Sequence, residues 1–244
     1  MKLLLLLLAL PLFSFGQNVN IPDANFKSYL VGNTNINTNG DKEIQVSEAS
    51  AFNGEIDCSN EDISNLKGIE AFTALTSLWC DDNQLTSLNV SKNTALTSLS
   101  CGGNQIKSLD VSKNTALTDL DCRQSNLTSL DVSKNTALTS LDCEGLGLTS
   151  LDVSKNTALR GLVCSFNGLT SLDVSKNTAL RGLDCSFNKL TSLNVSKNTA
   201  LSGLVCFDNQ LTSLDVSKNT ALTSLDCDGN KFDCEALKRK YGLD

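Results

Sequence analysis

Histidine is absent from the chain. Its absence removes the commonest general base, the Ser–His and Cys–His nucleophile pairs, and the commonest metal-binding side chain. Hydrolysis by carboxylates alone is the route left open, and it needs a cleft that holds two acids. A basic stripe is also lacking: 20 Lys and Arg stand against 27 Asp and Glu, a net charge of −7. A surface of that sign repels phosphate backbones, so nucleic acid is not an expected partner. Apolar runs are confined to Leu3–Leu10, behind Met1 and Lys2 and ahead of Pro11, Ser14 and Gly16. That run is too short to span a membrane. Its flanks are those of a secretory leader over residues 1–16, with the mature chain starting at Gln17. No cysteine stands just after that point, so lipid modification there is not expected.

Repetition is what the chain has in abundance. The phrase Leu-Thr-Ser-Leu-Asp-Val-Ser-Lys-Asn-Thr-Ala-Leu recurs almost unchanged. Cys80, Cys101, Cys122, Cys143, Cys164, Cys185, Cys206 and Cys227 fall at intervals of 21 residues. A fixed period of that length means one supersecondary unit stacked on copies of itself, a solenoid of about eight turns over residues 56–232. Such a coil offers an extended display face and no single deep cleft, so an enzyme is not expected.

The turn from Leu96 to Ala116 contains two nested halves of the form L-x-x-L-x-[C/V]-x-x-N-x-[L/A]. The L-x-[C/V] alternation has the period of a short strand with one buried face, which predicts two strands per turn and parallel strands on two faces of the coil. The inward set is Leu96, Leu99, Cys101, Ile106, Leu109, Val111 and Ala116, with Asn104 and Asn114 at the corners. A corner amide is expected both to donate to and to accept from free backbone groups. Burying a Leu or Val contributes about 1.5–3 kcal/mol, so no turn offsets its own ordering entropy alone, and the stack is required.

This L-x-x-L-x-[C/V]-x-x-N pattern resembles the leucine-rich repeats of secreted bacterial proteins. The stretch Leu66-Lys-Gly-Ile-Glu-Ala-Phe-Thr-Ala-Leu-Thr-Ser-Leu78 resembles the entry repeat of the internalin-like group. The resemblance covers about residues 56–234. It implies a leucine-rich-repeat solenoid, mainly β, that works by display; it names no target. Two strand-like halves per turn depart from the usual pattern and predict a straighter coil than a horseshoe.

Eight of the ten cysteines occupy the inward position after a buried Leu, where a free thiol behaves as a small apolar residue. Cys234 lies outside that column, and either a closing bridge to Cys227 or a free thiol in a cap helix suits it. The outward Asp column (Asp110, Asp131, Asp152, Asp173, Asp215) runs beside a Lys column and reads as a self-compensating, solvated face. The sequons at Asn89, Asn126 and Asn194 are by-products of the repeat.

Both ends read as helical caps. In the N-terminal unit, residues 17–55, a short helix over residues 21–31 is followed by an EF-hand-like loop. Asn37, Asn39, Asp41 and Glu48 take positions 1, 3, 5 and 12, Glu43 offers its carbonyl at position 7, and Ile44 is the apolar residue at position 8. Asn in place of Asp at position 1 and Lys42 in place of Gly at position 6 weaken the match. With two carboxylates, calcium binding is expected in the millimolar range; the alternative is an Asn-rich loop that orders without metal. Residues 233–244 form an amphipathic lid helix with Asp233 as N-cap and Gly242 behind it.

Variation between copies is concentrated around the Cys strand. Exposed aromatic and Arg side chains are the types enriched in binding hot spots, which makes Trp79, Arg123, Arg160, Val163, Phe166, Arg181, Phe187, Val205 and Phe207 the candidate ligand-binding residues. A guanidinium beside aromatic rings suits a sugar or a partner side chain. The alternative is that Phe166 and Phe187 fold over the corner and seal the core. The corner Asn of the Cys half is replaced by Ser125 and Leu146 in two successive turns, where looser packing is expected. The expected role is a secreted or cell-surface monomer that recognises an extracellular protein or glycan. A structural spacer is the alternative, and an ice- or crystal-binding face of Thr/Ser columns, interrupted by Lys107, is a third reading.

Overall fold

The computed structural model describes residues 16–243, so the leader expected over residues 1–16 lies outside the described residues except for Gly16. Nine three-residue strands follow one another in chain order: β1 (Glu55–Asp57), β2 (Ser77–Trp79), β3 (Ser98–Ser100), β4 (Asp119–Asp121), β5 (Ser140–Asp142), β6 (Gly161–Val163), β7 (Gly182–Asp184), β8 (Gly203–Val205) and β9 (Ser224–Asp226). They form one parallel sheet in which each strand pairs only with its sequence neighbours. The register sets equivalent residues opposite one another, as in Leu99 against Leu120. The middle residue of each strand and the cysteine after it point inward and are buried.

The sheet occupies one face of the coil, not two. The Val half alternates in burial as a strand would, but its backbone does not stay extended. Asp110 Oδ1 accepts from Ser112 N at 2.9 Å, and Asn114 N and Leu117 N donate to Val111 O and Asn114 O. An Asp two residues ahead of a Ser captures the N–H that a ladder would need, and consecutive turns follow. The same bond recurs at Asp131, Asp152, Asp173 and Asp215 and holds these carboxyls below the usual carboxylate range. The Asp column is therefore stabilised by backbone N–H groups; among the described residues no Lys of the neighbouring column forms an ion pair with it. Leu109, Leu130 and Leu151 are half-buried at the rim of the core rather than fully inward.

Corner asparagines join one turn to the next. In the Val half, Asn114 Nδ2 donates to Val90 O at 3.0 Å and to Asn93 O at 2.8 Å, and the pattern repeats to Asn219. The expected acceptor role is not filled: the Oδ1 atoms of this column are buried without a partner. In the Cys half both roles are filled. Asn104 Nδ2 donates to the carbonyls of Cys80, Cys101 and Gly102, and its Oδ1 accepts from Leu85 N at 3.0 Å.

The column of thiols extends one step further than the 21-residue spacing shows, because Cys58 after β1 also belongs to it. Eight cysteines are free and buried. Cys227 is bonded to Cys234, which opens the cap helix α3 (Cys234–Tyr241). At the other end α1 (Ala24–Gly32) and α2 (Val46–Ala51) pack Phe26, Leu30 and Ala49, and the loop between them packs Ile44, into the same core. No described helix is long and apolar enough to cross a membrane.

Two outcomes follow from this packing. Ser125 Oγ is buried without a partner, and the backbone bond seen at Gln105 N (2.8 Å to Leu85 O) and Gly168 N (2.7 Å to Leu148 O) is missing at Asn126 and Gly147. Ser125→Asn restores the corner amide and should raise stability by about 1 kcal/mol; an unchanged or lowered denaturation midpoint would contradict it. Burial also pushes the free thiols up, Cys58 and Cys206 to about 12. Their folded values lie above the unfolded one, so the stability they confer is complete below about pH 8.5 and is lost as pH rises toward 12. The melting temperature should fall steadily above about pH 9, and a flat profile to about pH 11 would show that the thiols do not govern it.

Candidate ligand-binding surface

The outward face of the sheet carries two residues per strand, and three consecutive strands differ from the rest. In β6, β7 and β8 the first outward residue is Gly161, Gly182 and Gly203, and the second is Val163, Asp184 and Val205. A Cβ at Gly182 or Gly203 would meet no atom within 4 Å, so neighbouring packing does not demand these glycines. Their effect is to lower the floor: these six residues line a shallow depression of about 240 Å³. Asp184 is turned to one side, with Oδ1 accepting from Ser186 N at 3.0 Å and Ser186 Oγ at 2.6 Å.

Past the C-terminal ends of these strands the chain turns a sharp corner in the left-handed region. Gly103, Gly145 and Gly229 occupy this corner in other turns, but Phe166 and Phe187 occupy it here with φ of 53° and 51°. For a bulky side chain that conformation costs about 1–2 kcal/mol. The Phe166 and Phe187 rings stack with centroids 4.1 Å apart, and Phe207 meets Phe187 edge-on at 4.4 Å. Phe207 sits one position before the corner, where Asp208 holds the left-handed turn, yet its ring joins the row. Phe166 is 52% exposed, so it does not seal the core, whereas Phe187 and Phe207 are half-buried.

Arg160 and Arg181 stand at the opposite ends of the strands. Their backbones continue the ladder, Arg181 N donating to Arg160 O at 2.8 Å. Both side chains are exposed, and neither is in an ion pair among the described residues. Six residues of extended chain separate the Arg edge from the Phe corner, up to about 20 Å. Among the described residues no guanidinium lies over a ring, and Arg160 and Arg181 lie on the opposite border of the glycine floor from the Phe corner. Trp79 lies four strands away on β2, its Nε1 donating to Ser98 Oγ at 3.3 Å. Arg123 is engaged by Asp121 at 3.4 Å and Asp142 at 3.7 Å. It compensates two half-buried acids, of which Asp121 is pushed up to about 6 by burial.

The structure thus gathers Arg160, Arg181, Val163, Val205, Phe166, Phe187 and Phe207 into one sector and leaves out Trp79 and Arg123. It adds Gly161, Gly182 and Gly203, which present no side chain to mark them. Their signal was an uninterrupted run of Gly ahead of the strand Leu in three copies.

The N-terminal loop lies away from this sector. Glu48 Oε1 accepts from Thr38 N, Thr38 Oγ1 and Asn39 N, and Oε2 from Gln45 N. Lys27 Nζ meets Glu43 at 2.6 Å. Among the described residues no cluster of three His, Cys, Asp or Glu is arranged to hold a metal ion.

Comparison with known proteins places this geometry. The family model for the leucine-rich-repeat domain of endo-β-N-acetylglucosaminidase EndoS matches residues 42–177. The functional domain of InlJ from Listeria monocytogenes, described as including a cysteine ladder, is 36% identical with a TM-score of 0.72 over 91% of this chain. This chain spans 55% of that one, about half its length. Internalin C2 from the same organism has a TM-score of 0.67 at 17% identity, covering 92% of this chain and 93% of that one. A leucine-rich-repeat protein of Leptospira interrogans has a TM-score of 0.66 at 20% identity, covering 81% and 60%. At those identities the last two show the fold alone. No curated protein sequence matches the chain.

The exposed ring at a strained corner gives a direct expectation. Phe166→Gly removes little buried area and relieves the left-handed conformation, so stability should be unchanged or higher by about 1 kcal/mol. A loss of more than about 2 kcal/mol in chemical denaturation would show that the ring belongs to the core.

Proposed function

The chain belongs to the leucine-rich-repeat family, and on that premise we propose that it is a secreted, non-enzymatic recognition protein that binds an extracellular protein or glycan on the β6–β8 sector of its sheet. Leucine-rich-repeat solenoids of the internalin type are protein-binding folds that are generally not enzymes. The observation that carries the reading is the pair of phenylalanines at left-handed corners where other copies place glycine. Phe166 is exposed and Phe187 half-buried there, and strain of this kind persists where surrounding structure holds a side chain for use. The glycine floor beside them and the unpaired Arg160 and Arg181 supply a shallow seat and positive charge on an otherwise acidic surface. The Cys227–Cys234 bond supports an oxidising, extracellular setting.

The structural-spacer reading draws on the near-invariance of the Val half, whose turns carry the same bonds from copy to copy. The two readings part on the double variant Phe166→Gly/Phe187→Gly. With a glycan array and pull-down from extracellular material as readouts, recognition requires that this variant lose capture by about 1–3 kcal/mol, roughly 5- to 150-fold, at unchanged melting temperature. Equal capture by both proteins would move recognition off the β6–β8 sector, and capture absent from both would leave the coil as a spacer.

A further inference from the structure

We propose that residues 37–48 bind one calcium ion, which holds the loop between α1 and α2. The loop joins α1 to α2, and its middle is fixed before any ion arrives. Ile44 is fully buried, and residues on either side of it are tied to the N-terminal segment by Val19 N to Ile44 O and Val46 N to Gln17 O, both 2.8 Å. Glu48 stands in the first turn of α2 and holds Gln45 N in a capping box. The left-handed turn that Lys42 does not suit is made two residues earlier, at Gly40 with φ of 72°.

The ligand signal is Asn37. Its side chain is 5% exposed, and its Nδ2 reaches across the loop to Asp41 O at 2.8 Å and Val31 O at 3.0 Å. Its Oδ1 is buried with no hydrogen-bond donor. The corner asparagines of the Val half share that deficit, but they lie between apolar turns. Asn37 lies in one loop with Asp41, close in sequence to Glu48 at the start of α2, which calls for a positive partner instead. Asp41 Oδ1 accepts a single N–H, from Glu43 at 2.7 Å, and Glu48 Oε2 a single N–H, from Gln45 at 3.0 Å, so these two oxygens each keep a lone pair. By contrast, Asp41 Oδ2 takes Asn39 Nδ2 and Gln45 Nε2, Asn39 Oδ1 takes Asp41 N, and Glu48 Oε1 takes three donors. The Glu43 side chain is held by Lys27, which leaves its backbone carbonyl as the group it offers.

Two carboxylates supplemented by amide and carbonyl oxygens make a hard, mostly neutral donor set. Such a set suits the flexible coordination of calcium better than the strict octahedron of magnesium. It also lies outside any cluster of three acidic side chains, in keeping with the absence of such clusters among the described residues. An open cavity of about 700 Å³ bordered by Asn35, Thr38 and Glu48 brings solvent to the Glu48 end of the loop.

The test uses the intact mature chain after chelator treatment, with calcium chloride and magnesium chloride as probes in calorimetry and thermal melting. Calcium should bind with a dissociation constant of about 0.1–1 mM and raise the melting temperature by about 2–5 °C at ten times that concentration. Asn37→Asp adds a third carboxylate to the orphaned position and should tighten binding at least about tenfold, while Asp41→Asn should abolish it. The gain in Asn37→Asp cannot come from damage to the cap. Indifference of both the natural chain and Asn37→Asp to calcium would overturn the proposal. So would an equal response to magnesium, or calcium binding that Asn37→Asp leaves unchanged.

Discussion

A coil of short segments leaves backbone carbonyls facing its own interior at its corners, and a corner asparagine disposes of them, Ser125 and Leu146 being the exceptions. A buried carbonyl without a donor costs about 1–3 kcal/mol, and each Val-half amide satisfies two, lying 21 and 24 residues back. The reach of that side chain ties every turn to the one before it. A one-residue insertion is taken up outside the corner, as where Asn83 Nδ2 still reaches Cys58 O at 2.8 Å across 25 residues instead of 24. The uncompensated Oδ1 follows from the same geometry: two satisfied carbonyls outweigh one acceptor left alone. The Cys half shows the fuller solution, in which the oxygen also takes an N–H from the preceding turn.

The thiol column is a second consequence of the corner. The position just inside it must be small, because the asparagine amide lies against its carbonyl. Cysteine fits, and its S–H adds a weak donor to the neighbouring strand's carbonyl, 3.3 Å from Cys80 to Ser100 O and 3.6 Å from Cys101 to Asp121 O. Those carbonyls already accept the Cys N–H, so the thiol supplements a bond rather than making the only one. At β9 no further strand follows. Cys227 has no carbonyl ahead of it, and it bonds instead to Cys234 at the start of α3. The end of the ladder is thereby converted into the attachment of the lid.

Most of the architecture was legible because burial and hydrogen bonding agreed. Leu99, Cys101 and Asn104 repeat both signals, and the strand, the core and the corner followed. The second strand was misread where the signals disagree. Val111 is buried as a strand residue would be, but Asp110 takes the Ser112 N–H and turns the chain, so alternation alone was insufficient. Cys58 escaped notice because it stands 22 residues before Cys80, outside the regular period. For the candidate surface, comparison of the copies located the sector but mistook its plan. Arg160 and Phe166 are close in sequence, yet a strand lies between them. Arg123 looked available until its two carboxylate neighbours were in view. The glycines of β6 to β8 were missed because a floor is made by absent side chains, and only the backbone shows what their absence opens.

The same regularity that makes the coil stable decides where variation carries information. At a Val-half corner nearly every exchange would break two bonds to the previous turn, so uniformity there needs no functional cause. The corner after the Cys strand is different: the backbone is already held, Phe166 N donating to Ser186 O and Phe187 N to Phe207 O, and its side chain leaves the coil. Asp82, Gln124 and Asp208 show that the corner admits polar residues in the same conformation. Asp and Gln would be solvated there at lower cost than an aromatic ring, and glycine would avoid the strain altogether. Two successive phenylalanines are thus the least economical occupants that stability alone would choose. Their stacked rings recover part of the strain from each other, but a row of exposed aromatic surface beside a lowered floor gains its full value only when something covers it.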